Sequence, residues 1–471
     1  MRTTLVAATG FWVIVAMALA PATAGQAFAQ TSAGKPDAGP VPTFSRDVAP
    51  LFYANCTTCH RTGEIAPMSL MTYKDARPWA RSIAMQVGKG AMPPWHADPA
   101  IGHFSNERRL TDEQRSTIVR WASAGAPEGD PKDLPPAPTY KDGWNIGEPD
   151  AVLSMQEDYP LPASGTIPYL YFEVPANFQE DRWITAYEMR PGNRAVVHHV
   201  IVFVRPPQPA QPAQTDGQAR PASAGPRPDQ VFKFAEGMEI PAGQSGGPRR
   251  ADDPREKFPN YRPRPRGTGP TLGGYVPGNA WRTLPAGTGI RLPAGSSLVF
   301  QMHYTVTGEP TMDRTRIGLV FAKDKPKTVL NVGALVNGGL HIPAGANDHR
   351  IDAEMTVERD ITLWAMTPHT HVRGKRWLYE VIYPDGRRET ILSVPNYDFD
   401  WQHEYQFREP LKLPKGTKVH ATAWYDNSKA NTSNPDPTKE VWWGDQTWEE
   451  MMFTGLTYSV APAAPQTSAQ Q

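Results

Sequence analysis

The stretch Val196–Phe203, VVHHVIVF, reads as a buried strand, with six apolar and mostly β-branched residues around two adjacent histidines. Imidazoles are costly to bury unless something pairs with them. The stretch therefore makes this part of the chain β and asks what His198 and His199 hold. On a regular strand the two rings would point to opposite faces. Both can serve one site only if the strand bends or bulges there, or if one ring binds through Nδ1.

Working outward, similar short apolar runs broken by turn signals recur from residue 145 onward: YLYFEV, DRWITAYEM, SSLVFQMHYTV, DITLWAM, RWLYEVIY and TKVHATAWY. That spacing predicts antiparallel sandwiches or jelly rolls. The length of the region suits two of them, with VNGGLHIPAGANDHRI (336–351) at the boundary. The expected fold is mainly β: two antiparallel jelly-roll sandwiches, 145–335 and 336–460, preceded by a small all-α domain. A Pro-rich insertion at about 205–270 interrupts the first sandwich. Fifty prolines and 39 glycines fit a chain of many turns. Basic and acidic residues number 48 each, and this balance argues against a nucleic-acid partner.

Residues 1–29 read as a signal peptide: Arg2, then the apolar run LVAATGFWVIVAMALA, then A-x-A sites ending at Ala24 and Ala29. No other apolar run is long enough to span a bilayer. The protein is expected to be periplasmic or secreted, without stable membrane insertion after cleavage. The tail 461–471 is expected to be disordered.

Cys56 and Cys59 are the only cysteines, and they stand in CTTCH. C-x-x-C-H is the c-type haem attachment pattern, in which both thiols bond the haem and the histidine, here His60, ligates iron. The plainer reading is a redox dithiol; a zinc site would need a second cysteine pair. Around the motif, residues 43–125 look helical, with Val48, Leu51 and Phe52 at helical spacing. Thr111 and Gln114 form a capping box before Ile118, Val119 and Trp121, and Gly125 ends that helix. This region resembles a small mono-haem cytochrome c domain. The sixth iron ligand in such domains is usually a methionine, which points to Met92 in KGAMPPWHAD, with Met68 second and His96 and His103 left open. Residues 126–144 read as a Pro-rich, semi-rigid linker.

Four further pieces follow in chain order: HH (198–199), QMHY (301–304), HTH (369–371) and EEMM (449–452). His369 and His371, two apart on a strand, share one face as a metal site needs. The plainer reading of each pair is a set of core or surface histidines with ordinary partners. Taken together, the order resembles the copper type II, ascorbate-dependent monooxygenases, such as peptidylglycine α-hydroxylating monooxygenase and dopamine β-monooxygenase. LVFQMHYTV, GYVPGNAWRTLPAGTG and LPKGTKVHATAWYDNS agree with that family beyond the ligands, and the resemblance covers roughly residues 145–460.

The resemblance implies two copper ions beside one covalently bound haem c. His198, His199 and His303 would hold an electron-supplying copper, with Gln301 nearby. His369, His371 and Met451 would hold the copper at which oxygen and substrate meet. Met451 is preferred to Met452 because the family pattern is an acidic residue followed at once by the ligand. The ligand types suit the chemistry independently, since imidazole suits copper and a thioether favours Cu(I). The implied activity is hydroxylation of a C–H bond in a small organic substrate with O2. Electrons would come from an exported donor and pass from haem to copper. The alternative is a copper-binding or electron-transfer protein without oxygen chemistry. His341, His349, His403 and His420 receive no role.

The chain departs from the family in two ways. The animal enzymes carry several disulfides, whereas this catalytic region has no cysteine. The peptide enzyme's substrate-gripping arginine is replaced by Thr367, and its tyrosine and asparagine after the methionine ligand by Gly455 and Phe453. Without that bidentate clamp, the pocket is expected to prefer a neutral or weakly polar substrate to a glycine-extended peptide.

Overall fold

The apolar spacing around CTTCH produces short helices. The computed structural model describes residues 39–64, 66–140, 143–207, 231–238, 247, 253–276 and 280–461. The expected signal segment 1–29, the most Pro-rich part of the insertion and all but the first residue of the tail 461–471 lie outside the described residues. Helices Ala49–Asn55, Ala80–Gly88 and Asp112–Ser123 close around Phe44, Phe52, Ile83, Val87, Ile118 and Trp121. Each such side chain, fully buried, contributes about 1.5–3 kcal/mol. The capping box forms: Thr111 Oγ1 accepts from Gln114 N at 3.2 Å, and Gln114 Oε1 accepts from Thr111 N at 2.9 Å. Gly125, at φ 88°, supplies the left-handed turn that ends the helix.

Beyond residue 150 the chain is mainly β, in open sheets. The strand Val197–Arg205, which contains VHHVIVFV, lies between Ser297–Tyr304 and Thr271–Tyr275 in a four-stranded antiparallel sheet. Leu170–Pro175 flanks Ser297–Tyr304 on the other side. Val200, Val202, Leu298 and Phe300 of this sheet share a core with Ile184, Tyr187, Ile317 and Leu319 of a nine-stranded sheet. The far end of the nine-stranded sheet shares a second core, through Leu363 and Leu456, with Trp377, Tyr379, Ala421 and Ala423 of a five-stranded sheet. The result is two sandwich-like lobes. Ser297–Tyr304 is buried on both faces, because Tyr169, Tyr171, Phe203 and Val299 cluster on the side away from the first core.

Strand pairings cross two of the divisions expected from the sequence. The strand Thr328–Val336 pairs in parallel with Thr288–Leu292 of the first lobe and antiparallel with Phe453–Val460 of the second. Leu330 enters the first core and Leu335 and Val336 the second, so the expected division at 335/336 falls at the end of a shared strand. The insertion is not confined to the first lobe either. Phe232–Phe234 pairs with Met355–Val357 of the second lobe, and Phe232 enters its core. Period-two alternation identifies a strand but does not name its neighbour.

The linker is also tied down. Pro127 O accepts from Phe44 N at 2.9 Å, and the Tyr140 hydroxyl lies 2.5 Å from Thr57 Oγ1 beneath the Arg61 guanidinium. From the helical region, Trp95 and Phe104 reach into the second core, and Ser105 N donates to Gln406 O at 2.8 Å. The helical part is thus docked on the β lobes. Among the described residues, no helix is long and apolar enough to cross a membrane.

Candidate metal centre

The two adjacent histidines converge through a bulge. His199 pairs with His303, and the next pair is Val197 with Tyr304, so His198 is the extra residue. Nδ1 of His199 lies 3.2 Å from His198 Nδ1 and 3.3 Å from His303 Nδ1. His198 Nε2 donates to Asp400 Oδ1 at 3.0 Å, which leaves its Nδ1 lone pair facing inward. Burial first, then the neighbouring imidazoles, hold His199 and His303 well below the usual histidine pKa. Neutral lone pairs this close repel one another unless a proton or cation lies among them. The cluster meets the basic requirement of a metal site.

The second set presents the opposite nitrogen. His369 ends the strand Ile361–His369, and its Nδ1 donates to Gln402 Oε1 at 2.6 Å. His371 Nδ1 donates to Glu449 O at 3.0 Å. Each ring therefore keeps Nε2 as its free acceptor, and that of His371 is buried with no hydrogen-bond partner. Burial lowers His369 to about 4 and His371 well below the usual range, so both are neutral. Their ring centroids are 5.2 Å apart.

Met451 and Met452 separate clearly. His369 pairs with Phe453, and continuing that antiparallel register brings position 451 opposite 371. Met451 lines the same cavity as His369 and His371, whereas Met452 is fully buried in the second core. Glu450, also fully buried, staples the loop. Its Oε2 accepts from His371 N at 2.5 Å and Met451 N at 3.0 Å, and its Oε1 accepts from Arg373 N at 2.9 Å. Burial pushes this carboxyl up to about 7 against the pull of Arg373 and the three N–H groups. Gly374 allows the tight return after HTH, because a Cβ there would collide with the Thr370 hydroxyl.

These donor sets fit copper: three imidazoles in one, two imidazoles with a soft thioether available in the other. The helical part fits a c-type haem. Cys56 and Cys59 are free thiols, partly buried one turn apart, with Cys59 N donating to Cys56 O at 3.1 Å. His60 Nδ1 lies 3.3 Å from Met68 O, and donation there leaves Nε2 for iron. Met92 and Met68 both pack against the helical core, while His96 faces His403 of the second lobe at 5.7 Å between rings. His103 O is taken up by Arg408 N at 2.8 Å.

Two aromatic rings connect the histidine sets, and neither stood out in the sequence. Tyr169 lies 4.7 Å from His303, 5.4 Å from His199 and 6.1 Å from His371, between ring centroids. Phe399 stacks on His198 at 5.4 Å and lies 6.2 Å from His371. A cavity of about 430 Å³ takes walls from both sets, including His199, Gln301, His369, His371 and Met451. Thr367, Phe453 and Gly455 line it without charge, as their types require. Arg264 and Arg282 line it too, Arg282 in an ion pair with Glu404 at 2.7 Å. Glu450 could have been found from the acidic residue that precedes the methionine ligand in the family pattern. Asp400, Gln402, Tyr169 and Phe399 gave no sequence signal.

No family model and no curated protein matches the chain. Among solved structures it is similar to an allantoicase, with 8% identity, a TM-score of 0.18, and coverage of 61% of this chain and 81% of that one. It is also similar to PNGF-II, with 10% identity, a TM-score of 0.26, and coverage of 66% and 65%. A third is a structure of infectious bursal disease virus, Gx strain, with 9% identity, a TM-score of 0.18, and coverage of 68% and 74%. Likenesses this faint carry no argument about activity.

Proposed function

We propose that the protein is an exported, haem- and copper-dependent monooxygenase that hydroxylates a C–H bond of a small organic substrate with O2. On this reading the two lobes are jelly-roll copper domains and the helical part is a mono-haem cytochrome c domain. The observation that carries it is the pairing of two imidazole sets around one cavity, with the Tyr169 and Phe399 rings each lying against members of both. When bound, two coppers would supply stored electrons and an oxygen-activating centre, and a haem on Cys56 and Cys59 a one-electron carrier.

The chain's own residues prepare the site. Asp400, Gln402 and Glu449 O fix which ring nitrogen of His198, His369 and His371 is free. Glu450 holds His371 and Met451 on one loop junction. Gln301 Nε2 donates to the Tyr171 hydroxyl at 2.5 Å, which donates to Asp445 at 3.0 Å and steadies the cavity wall. Thr367, Phe453 and Gly455 put no charge at the positions of the family's carboxylate clamp, which argues against a substrate carboxylate held there. A cavity of about 430 Å³ beside Met451 favours the enzyme over a purely electron-transferring protein, which needs no room for substrate.

The test is to express the chain with export and haem maturation, then measure metal, haem and product. The expected result is haem that resists acid–acetone extraction, two coppers per chain, and oxygen uptake matched by hydroxylated product. Extractable haem, a single copper at saturation, or zinc retained in preference to copper would overturn the reading. Efficient turnover of a glycine-extended peptide would overturn the substrate class.

A further inference from the structure

We propose, resting on the functional reading above, that Tyr275 and Trp281 form the bridge for electrons between the haem on Cys59 and the metal held by His198, His199 and His303. These two aromatic residues line both the large cavity and a small one of about 20 Å³ whose other walls include Cys59, Glu64 and Arg194. The large cavity reaches His199, and the ladder pairs Tyr275 with Val200, the next residue in the chain. A path from the haem attachment point to the first histidine set therefore runs along these two aromatic side chains and takes one step across neighbouring strands.

One clamp holds the seam. Arg194 Nη1 forms an ion pair with Glu64 and donates to Gly63 O at 3.3 Å. Arg194 stands four residues before His198, and Glu64 four after His60. The loop entering the histidine bulge is thereby held on the loop leaving CTTCH. Tyr275 is 2% exposed, and burial pushes its hydroxyl up to about 12, so the ring is neutral at ordinary pH. A neutral ring couples donor and acceptor without being oxidised itself.

The balance is one electron per passage. Ferrous haem becomes ferric, one Cu(II) becomes Cu(I), and no proton or atom leaves Tyr275. A one-electron donor such as ascorbate restores ferrous haem. Two passages supply the two electrons that O2, two protons and one C–H bond need to give one alcohol and one water.

The experiment uses the full chain, loaded with haem and Cu(II) and kept without oxygen. A laser flash generates a flavin semiquinone that reduces the haem. Decay of the ferrous absorbance is followed together with loss of the Cu(II) paramagnetic signal. Tyr275→Leu and Trp281→Leu should each slow this decay by an order of magnitude or more, at unchanged copper content and haem potential. Tyr275→Phe should keep the wild-type rate, because the ring carries the coupling. If Tyr275→Leu fails to fold, Trp281→Leu, at a partly exposed position, carries the test. Wild-type rates in the loaded leucine variants overturn the bridge alone. A phenylalanine variant as slow as the leucine one also overturns it, by assigning the transfer to the hydroxyl. A wild-type chain lacking covalent haem or copper overturns the functional reading, and the bridge with it.

Discussion

At the first histidine set the inward-facing atoms are three Nδ1, carried on adjacent strands of one sheet; at the second they are Nε2, carried at a strand end and in a loop. The difference follows from the partners of His198, His369 and His371 at their other ring nitrogen, whereas Nε2 of His199 is buried without a hydrogen-bond partner. His198 gives its Nε2 proton to Asp400, an exposed carboxylate, whereas His369 and His371 give their Nδ1 protons to a buried amide and a main-chain carbonyl. The first set is fixed mainly by ladder register. The second depends on Glu450, whose carboxylate gathers the His371, Arg373 and Met451 amides. A ladder-held site keeps its geometry when a metal changes oxidation state, which suits storing an electron. A site on a stapled loop can place a soft donor beside a cavity, which suits meeting a substrate.

The contrast breaks most directly at the ligands. His303→Ala should abolish copper binding at the first set and leave the second loaded, and Met451→Ala should weaken only the second. Copper content and paramagnetic spectra of each variant check this. If one substitution empties both sets, the two are a single coupled centre.

Glu450→Gln tests the staple. Exchanging one acceptor oxygen for an amide N–H2 leaves buried N–H groups of the loop without an acceptor and should cost about 1–3 kcal/mol of stability, the range for a buried donor left unsatisfied. Denaturant unfolding measures it, and copper loss should be confined to the second set. A loss below 1 kcal/mol would show that the loop holds itself.

The partners of the ring nitrogens come next. Gln402→Leu should weaken copper at the second set by about 10–100-fold, the usual effect of removing a histidine's orienting partner. Asp400→Asn should weaken the first set toward the low end of that range, about tenfold, because Asp400 is exposed to water. Competitive copper titration compares them. A larger effect at Asp400 would mean that charge outweighs burial in fixing these rings.

The smallest effect should come from Met452→Leu. This near-isosteric swap inside the second core should cost less than about 1.5 kcal/mol and leave both coppers in place. Loss of copper there would move the thioether ligand one residue along the chain.

The sequence by itself determined what depends on near neighbours in the chain. Thr111 and Gln114 cap their helix because the reciprocal bonds span three residues. The strands of the β region follow from period-two burial, as along His349–Val357, and CTTCH places two thiols and an imidazole within one turn. His369 and His371 were legible as a pair from their spacing, but the strand ends at His369 and it is the loop, held by Glu450, that sets His371 in place. The rest was decided by partners far away in the chain. The bulge at His198 exists because Ser297–Tyr304 pairs with that strand in a shifted register, and its tautomer because Asp400 lies beside it. Tyr169 and Phe399 carry no local pattern, yet they stand between the two histidine sets. The Thr328–Val336 strand joins both lobes because it finds Thr288–Leu292 on one side and Phe453–Val460 on the other. Alternation sets which way a side chain faces. Which strand lies beside it is settled by hydrogen-bond pairing and burial summed over the whole fold.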